Sequence, residues 1–310
     1  MRVLIVDEMH ESIVEMPEEL GLEVDYYPHI DLEETLQIIE NYEGLIIRSK
    51  FSIGQVFLNK AKALKFIGRA GAGLDLIDVE ACEKRGITVF GANEGNKIAV
   101  AEHLIGMLLS IFHKIASGNR EVREKQWNRE KNRGEELFGK TVGIIGFGNN
   151  GQATAERLAA FGCKILAYDK YKYGFGTHLI HESSLSEIFE EADIVSFHIP
   201  LTAESDKFVN SEFFNSFKKN IYFCNISRGE IMIKKDLVDA LKSGKVKGAC
   251  LDVLENEKLN KLNPSQEESL DYLIQHDGVI LTPHVAGWSK ESYIRINQVL
   301  KDKIQRFLTK

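Results

Sequence analysis

Three short segments of this 310-residue chain carry side chains able to hold an anion and move a proton. They are Asn225–Ile226–Ser227–Arg228–Gly229, Asp252–Val253–Leu254–Glu255–Asn256–Glu257 and Thr282–Pro283–His284–Val285–Ala286–Gly287. Each follows an apolar run of strand length. In an open parallel sheet, ligands bind beyond the carboxyl ends of the strands. An arginine, an acid and a histidine arriving there from three strands suggest anion binding and proton transfer, and periodicity alone goes no further. Taken singly, Arg228 also reads as a strand-end ion pair, His284 as a satisfied loop histidine and Glu257 as a solvated carboxylate.

A fourth segment is Gly146–Phe147–Gly148–Asn149–Asn150–Gly151. It follows a predicted strand at 141–145 and precedes a predicted helix at 152–161, after which a second strand, 165–168, ends at Asp169. Each glycine has a task in a dinucleotide fold. Gly146 permits the tight turn, Gly148 lets the backbone approach a pyrophosphate, and Gly151 allows close helix–strand packing. The helix N-terminus, with Asn149 and Asn150 just before it, directs free N–H groups at the phosphates. Asp169 is placed to accept from the ribose hydroxyls and to repel a 2′-phosphate, so NAD is favoured over NADP. Lys170 and Lys172 either soften that preference or are solvated loop charges. His198 and Pro200, after a strand at 194–197, fall near the nicotinamide end.

The elements that must position these residues alternate along the chain. Strands are predicted at 3–6, 24–27, 45–47, 66–67 and 87–90, with helices at 12–20, 32–40, 55–63 and 79–85. One long helix, 97–125, then crosses to a second domain. The alternation restarts with strands at 141–145, 164–168, 194–197, 221–225, 247–251 and 279–281, and a last helix at 289–308 returns to the first domain. Short apolar strands alternating with helices imply parallel sheets covered on both faces. The expected fold is therefore α/β, with two doubly wound, Rossmann-like domains. Residues 98–284 form the NAD domain, inserted into a substrate domain of residues 1–97 plus 285–310.

Composition narrows the function classes. Hydrophobic residues make up 44% and charged residues 27%, the balance of a globular protein with a sizeable core. A net charge of −7 offers no basic field for nucleic acid or anionic membrane. The longest apolar stretch, 98–112, is shorter than a bilayer span and holds Glu102 and His103. Cys82, Cys163, Cys224 and Cys250 are far apart and form no CxxC pair, which suggests free thiols in a reducing, cytoplasmic setting. His178 and His181 are three apart, but no further ligand completes a metal site.

The glycine segment and the three polar segments together resemble the D-isomer-specific 2-hydroxyacid dehydrogenases, over nearly the whole chain and in the family's order. The resemblance implies an oxidoreductase that moves hydride between NAD and C2 of a small 2-hydroxy or 2-keto acid. By it, Arg228 binds the substrate carboxylate and keto oxygen, and His284 is the general acid/base. Glu257 orients the imidazole and favours its charged form. Asp252, Ile226, Ser227 and Gly287 contact the nicotinamide end, and the protein is a homodimer. Lys258 stands where the family usually has a proline, and the polar stretch up to His276 is a departure that borders the site.

The segment Phe66–Ile67–Gly68–Arg69–Ala70–Gly71–Ala72–Gly73 resembles the family's substrate loop, whose backbone N–H groups form an anion nest. Arginines at Arg48 and Arg69, followed by Arg129, look most like 3-phosphoglycerate dehydrogenases. There such residues hold the substrate phosphate, the last from the neighbouring subunit. Two alternatives stand beside this. Arg48 and Arg69 are strand caps and Arg129 a solvated charge, leaving a hydroxypyruvate or glyoxylate reductase. Or the chain is an NAD-sensing, corepressor-like binding protein, which an intact Arg228, Glu257 and His284 disfavour.

Overall fold

Two parallel sheets organise the chain, and each is sandwiched by helices. The structure is a computed structural model and describes residues 1–309. The chain divides into two units, Met1–Lys97 together with the segment from Trp288 onward, and Ile98–Gly287. The second crossing thus comes three residues after the expected 284/285 boundary.

In the first unit the order is β1 (Arg2–Ile5), α1 (Ser12–Glu19), β2 (Glu23–Tyr26), α2 (Leu32–Ile38), β3 (Gly44–Ile47), α3 (Gln55–Lys60), β4 (Phe66–Arg69), α4 (Val79–Lys84) and β5 (Thr88–Gly91). The five strands are parallel, in the order β2-β1-β3-β4-β5. Side chains on a strand alternate between faces, and both faces here are apolar. Leu4, Leu45, Ile47 and Ile67 pack on one side, and Val3, Ile5, Ile46 and Phe66 on the other. The second face is closed by Leu300 and Ile304 of the last helix, both 1% exposed.

Helix α5 (Asn93–Phe112) begins the passage to the second unit. By length and composition alone it is apolar enough to cross a membrane, contrary to the shorter stretch read from the sequence. Much of its apolar surface is instead core: Val100, Leu104, Met107, Leu108 and Phe112 pack against Val142, Ile144 and Ile194. The single helix expected over 97–125 is also broken. Lys114 takes φ +52, and α6 (Ile115–Arg123) starts afresh. The physical cause is a competing partner at the helix end. The Phe112 carbonyl accepts from the Glu135 N–H at 2.8 Å, and a Cβ at Gly134 would lie 2.6 Å from that same oxygen.

The second sheet is built from β6 (Thr141–Ile145), β7 (Lys164–Tyr168), β8 (Ile180–Glu182), β9 (Ile194–Phe197), β10 (Ile221–Asn225), β11 (Val246–Leu251) and β12 (Val279–Leu281). The helices between them are α7 (Asn149–Ala160), α8 (Leu185–Glu191), α9 (Ser211–Ser216), α10 (Lys234–Lys242) and α11 (Pro264–Gln275). All pairings are parallel, in the order β12-β11-β10-β9-β6-β7-β8. Strand β8 was not expected: its three residues sit at the sheet edge with only Ile180 buried, too short a pattern to read. The polar stretch after Glu257 is largely α11, with Asn263 and Gln266 forming a capping box and Pro264 in the first turn. Helix α12 (Lys290–Leu308), capped by Ser289, returns to the first unit.

Candidate active site

The register of the second sheet aligns the segments singled out by sequence. Tyr168 pairs with Ile145, Ile145 with Phe197, Phe197 with Asn225, Asn225 with Leu251, and Leu251 with Leu281. These six residues form one row across neighbouring strands. The next residue on each strand is Asp169, Gly146, His198, Ile226, Asp252 or Thr282. At ~4.8 Å per strand, the row presents all the polar segments along an edge of about 24 Å. Strand order reverses between β6 and β9, so the glycine segment lies at a switch point, where open sheets leave a crevice.

At that switch Gly146 takes φ +94, and a Cβ there would fall 2.5 Å from the His198 carbonyl oxygen. At Gly151 a Cβ would meet the Gly146 oxygen at 2.0 Å. Above Gly148, by contrast, nothing lies within 4 Å of where a Cβ would be. Gly148 is also the cap of α7 and no side chain satisfies its first-turn N–H groups, so the helix starts at Asn149, earlier than the expected 152. Tight walls, an open roof and unsatisfied N–H donors are what a pyrophosphate needs, and these residues fit NAD.

Asp169 has a task that the sequence did not reveal. Its Oδ2 accepts from the Phe147 N–H at 2.8 Å, and its Oδ1 from Tyr171 and Lys172 N–H at 3.0 and 3.1 Å. Lys172 Nζ in turn donates to the Phe147 carbonyl at 3.0 Å, so this lysine braces the glycine turn. Lys170 is tied to Glu204 at 2.7 Å. His198 packs beneath the turn, its Nε2 2.9 Å from Ser196 Oγ and its buried Nδ1 unpartnered among the described residues. Burial pushes its imidazole down to about 3, so it is neutral at physiological pH. Pro200 sits just beyond, its carbonyl accepting from Ser205 Oγ at 2.8 Å.

The three polar segments are locked to one another. Ser227 Oγ donates to the Phe197 carbonyl at 2.7 Å, Asn225 Nδ2 to the Arg228 carbonyl at 2.8 Å, and Ile226 is buried beneath them. Arg228 Nη1 donates to the Ser227 carbonyl at 2.7 Å. A Cβ on Gly229 would lie 2.0 Å from the Leu254 carbonyl, so only glycine lets the arginine turn press against the loop after β11. On that loop Asp252 is 1% exposed, and its carboxylate is consumed by the next segment. Oδ1 accepts from Thr282 Oγ1 at 2.5 Å and Val285 N–H at 2.9 Å, and Oδ2 from Ala286 N–H at 2.8 Å. Asp252 therefore positions the histidine loop as far as Ala286. His103, on α5, supports the same cluster with Nε2 3.0 Å from Thr282 Oγ1, a role its isolated place in the sequence did not signal.

His284 takes φ +55, a left-handed conformation in which its N–H donates to the Asp252 and Thr282 carbonyls at 2.8 and 3.0 Å. Its Nδ1 lies 3.0 and 3.1 Å from the two oxygens of Glu257. An ionised carboxylate only accepts, so Nδ1 carries the proton and Nε2 is left to give or take one. Among the described residues nothing hydrogen-bonds to Nε2.

The first unit carries its own set. Ile47 pairs with Arg69 and Arg69 with Gly91, so Arg48 and Arg69 leave adjacent strands at the same edge. The backbone after β3 is pinned by Asp7, whose Oδ2 accepts from Arg48 and Ser49 N–H at 2.6 and 3.1 Å. Arg69 folds back over Gly71, where a Cβ would fall 1.3 Å from its Nη1. Ala70 N–H donates to the Ile47 carbonyl at 2.8 Å, and Ala72 and Gly73 continue the turn. Arg129 belongs to the second unit and lies exposed in the loop after α6.

Residues 105–286 match the family model described as D-isomer specific 2-hydroxyacid dehydrogenase, NAD binding domain. The chain belongs to that family. It is 34% identical over 313 residues to D-3-phosphoglycerate dehydrogenase of Methanocaldococcus jannaschii, covering 99% of this chain and 57% of that one. It is 35% identical over 277 residues to hydroxypyruvate reductase of Thermotoga maritima, covering 89% and 88% respectively. Among solved structures, the TT0316 protein of Thermus thermophilus superposes with a TM-score of 0.84 at 30% identity, covering 100% of this chain and 97% of that one. The chain spans little more than half the length of the phosphoglycerate dehydrogenases it matches, 56–57% in the first three.

Proposed function

We propose that this chain is an NAD-dependent dehydrogenase interconverting 3-phosphoglycerate and phosphohydroxypyruvate. The observation that carries the reading is the Glu257–His284 pair, at 3.0 and 3.1 Å, on the strand-end row that also bears Arg228 and the glycine turn. When bound, the nicotinamide accepts or supplies the hydride exchanged with C2 of the acid. In oxidation His284 Nε2 takes the C2 hydroxyl proton, and in reduction it returns it. Glu257 keeps Nδ1 protonated and stabilises the imidazolium between those steps. Arg228 anchors the carboxylate with its planar fork and polarises the C2 oxygen. Gly146, Gly148, Gly151 and the first turn of α7 hold the pyrophosphate, and Asp169 receives the ribose.

A phosphate dianion calls for several cationic donors, and Arg48, Arg69 and Arg129 are assigned to it, with the backbone of residues 70–73. The phosphoglycerate dehydrogenases among the relatives support this choice. A second reading, a reductase of hydroxypyruvate, is favoured by the Thermotoga maritima relative, of whose length the chain spans 88%. Homodimerisation is part of the proposal. Ile115, Val122 and Trp127, on and after α6, are 56%, 52% and 77% exposed and offer an apolar surface for a second copy. The four cysteines are buried and unpaired, in keeping with a reducing, cytoplasmic setting.

The test is NADH oxidation by purified protein with phosphohydroxypyruvate, hydroxypyruvate and glyoxylate in parallel. The expected result is a strong preference in kcat/KM for the phosphorylated acid and a place in serine biosynthesis. Preference for hydroxypyruvate establishes the second reading, and tight NADH binding without turnover of any of the three overturns both.

A further inference from the structure

Arg48 is held in an unusual way. All the groups concerned belong to the first unit. Its guanidinium carbon lies 3.9 Å from the centre of the Trp288 ring and 5.1 Å from that of Tyr293, and the two rings are 5.6 Å apart at 56°. Among the described residues, no carboxylate or carbonyl accepts a hydrogen bond from this guanidinium. Asp7 spends its carboxylate on the backbone N–H groups of residues 48–50 instead. Glu8 is near enough to act on the Tyr293 hydroxyl but makes no ion pair with Arg48. An arginine whose backbone is tethered, whose guanidinium carbon sits over an aromatic ring and whose N–H groups carry no acceptor is built to receive one from outside.

We infer that Trp288 and Tyr293 form an aromatic clamp that fixes the Arg48 guanidinium edge-on toward an oxyanion of the substrate, and so set substrate specificity. Stacking uses the face of the guanidinium and leaves its in-plane N–H groups for a bidentate contact. It also removes rotamer freedom that a free arginine surrenders on binding, which shows as a lower KM without a change in the chemical step. The oxyanion is either the substrate carboxylate or a phosphate monoester, and the two are separable by experiment. The inference rests on the reading of Arg48 as a substrate-binding residue.

The experiment measures kcat and KM with phosphohydroxypyruvate and with hydroxypyruvate for wild type, Arg48→Ala, Trp288→Leu, Trp288→Phe and Tyr293→Leu. Trp288→Leu is expected to raise KM about 3–10-fold, the weight of one freed long side chain, with kcat within about twofold. Trp288→Phe restores most of the loss, and Tyr293→Leu gives a smaller rise. A rise confined to the phosphorylated acid assigns the clamp to the phosphate, and an equal rise for both acids assigns it to the carboxylate. If Arg48→Ala leaves both KM values unchanged, the substrate-binding reading of Arg48 fails and the clamp with it. If Arg48→Ala raises KM but Trp288→Leu does not, the clamp alone is overturned.

A second readout is independent of turnover. The chain has two tryptophans, so in a Trp127→Phe background the emission reports Trp288 alone. Titration with phosphohydroxypyruvate or inorganic phosphate should change that emission saturably, and Arg48→Ala should abolish the change. A flat titration overturns the clamp even where Trp288→Leu fails to fold.

Discussion

His284 sits in a left-handed turn that a side chain adopts only when its surroundings hold it, and the holder is Asp252. The proposed acid–base role predicts that His284→Ala slows turnover ~10²–10⁴-fold in steady-state assays while NADH affinity, read by fluorescence, stays near wild type. Asp252→Ala strips three hydrogen bonds from the same loop. It should cost about 2–3 kcal/mol in denaturant unfolding and depress kcat as well, because the imidazole loses its aim. Asp169→Ala is expected to weaken NAD more than NADP in binding titrations, and to weaken both through the freed Phe147 N–H. That the segments of Arg228, Glu257 and His284 end on neighbouring strands was legible, because each follows an apolar run of strand length. The work of Asp252 and Asp169 on backbone N–H groups was not, since no local spacing records which distant amides a carboxylate will meet.

Among the elements, strands read well and helix ends less so. The strand at 141–145 was read with its observed limits, because a buried parallel strand is a short apolar run bounded by polar residues. The break at Lys114 escaped because its cause lies twenty residues on, at Gly134 and Glu135. The loop after α6 is organised by Glu121, which accepts from Lys131 at 2.6 Å, Asn132 at 2.7 Å and Asn128 at 3.2 Å. These partners, Lys131 foremost, pull its carboxyl down to about 2 from an ordinary 4.5. The folded value lies below the unfolded one. The contribution is therefore full above pH 4.5, shrinks as pH falls through the interval and is gone below about 2. Thermal melts across that range should show an acid limb that Glu121→Gln flattens. At Gly229, alanine should cost about 1–3 kcal/mol and lower kcat, since the Arg228 turn is forced off the Leu254 peptide.

For the whole molecule, the division into an interrupted first unit and a continuous second one was legible in the alternation of strands and helices, with its crossing helix and returning C-terminal segment. Self-association is the prediction that belongs at this scale. Sedimentation should give about 70 kDa, twice the 35.0 kDa chain, and Val122→Glu should shift the equilibrium toward the monomer. The interrupted unit carries one more consequence, for the order of events on the ribosome. Residues 98–287 are contiguous and emerge together, so their sheet can close as soon as it leaves the exit tunnel. The sheet of the first unit, synthesised earlier, must wait, because Val3, Ile5, Ile46 and Phe66 are roofed by Leu300 and Ile304 of α12. Until α12 is made, that apolar face of the nascent sheet stays open.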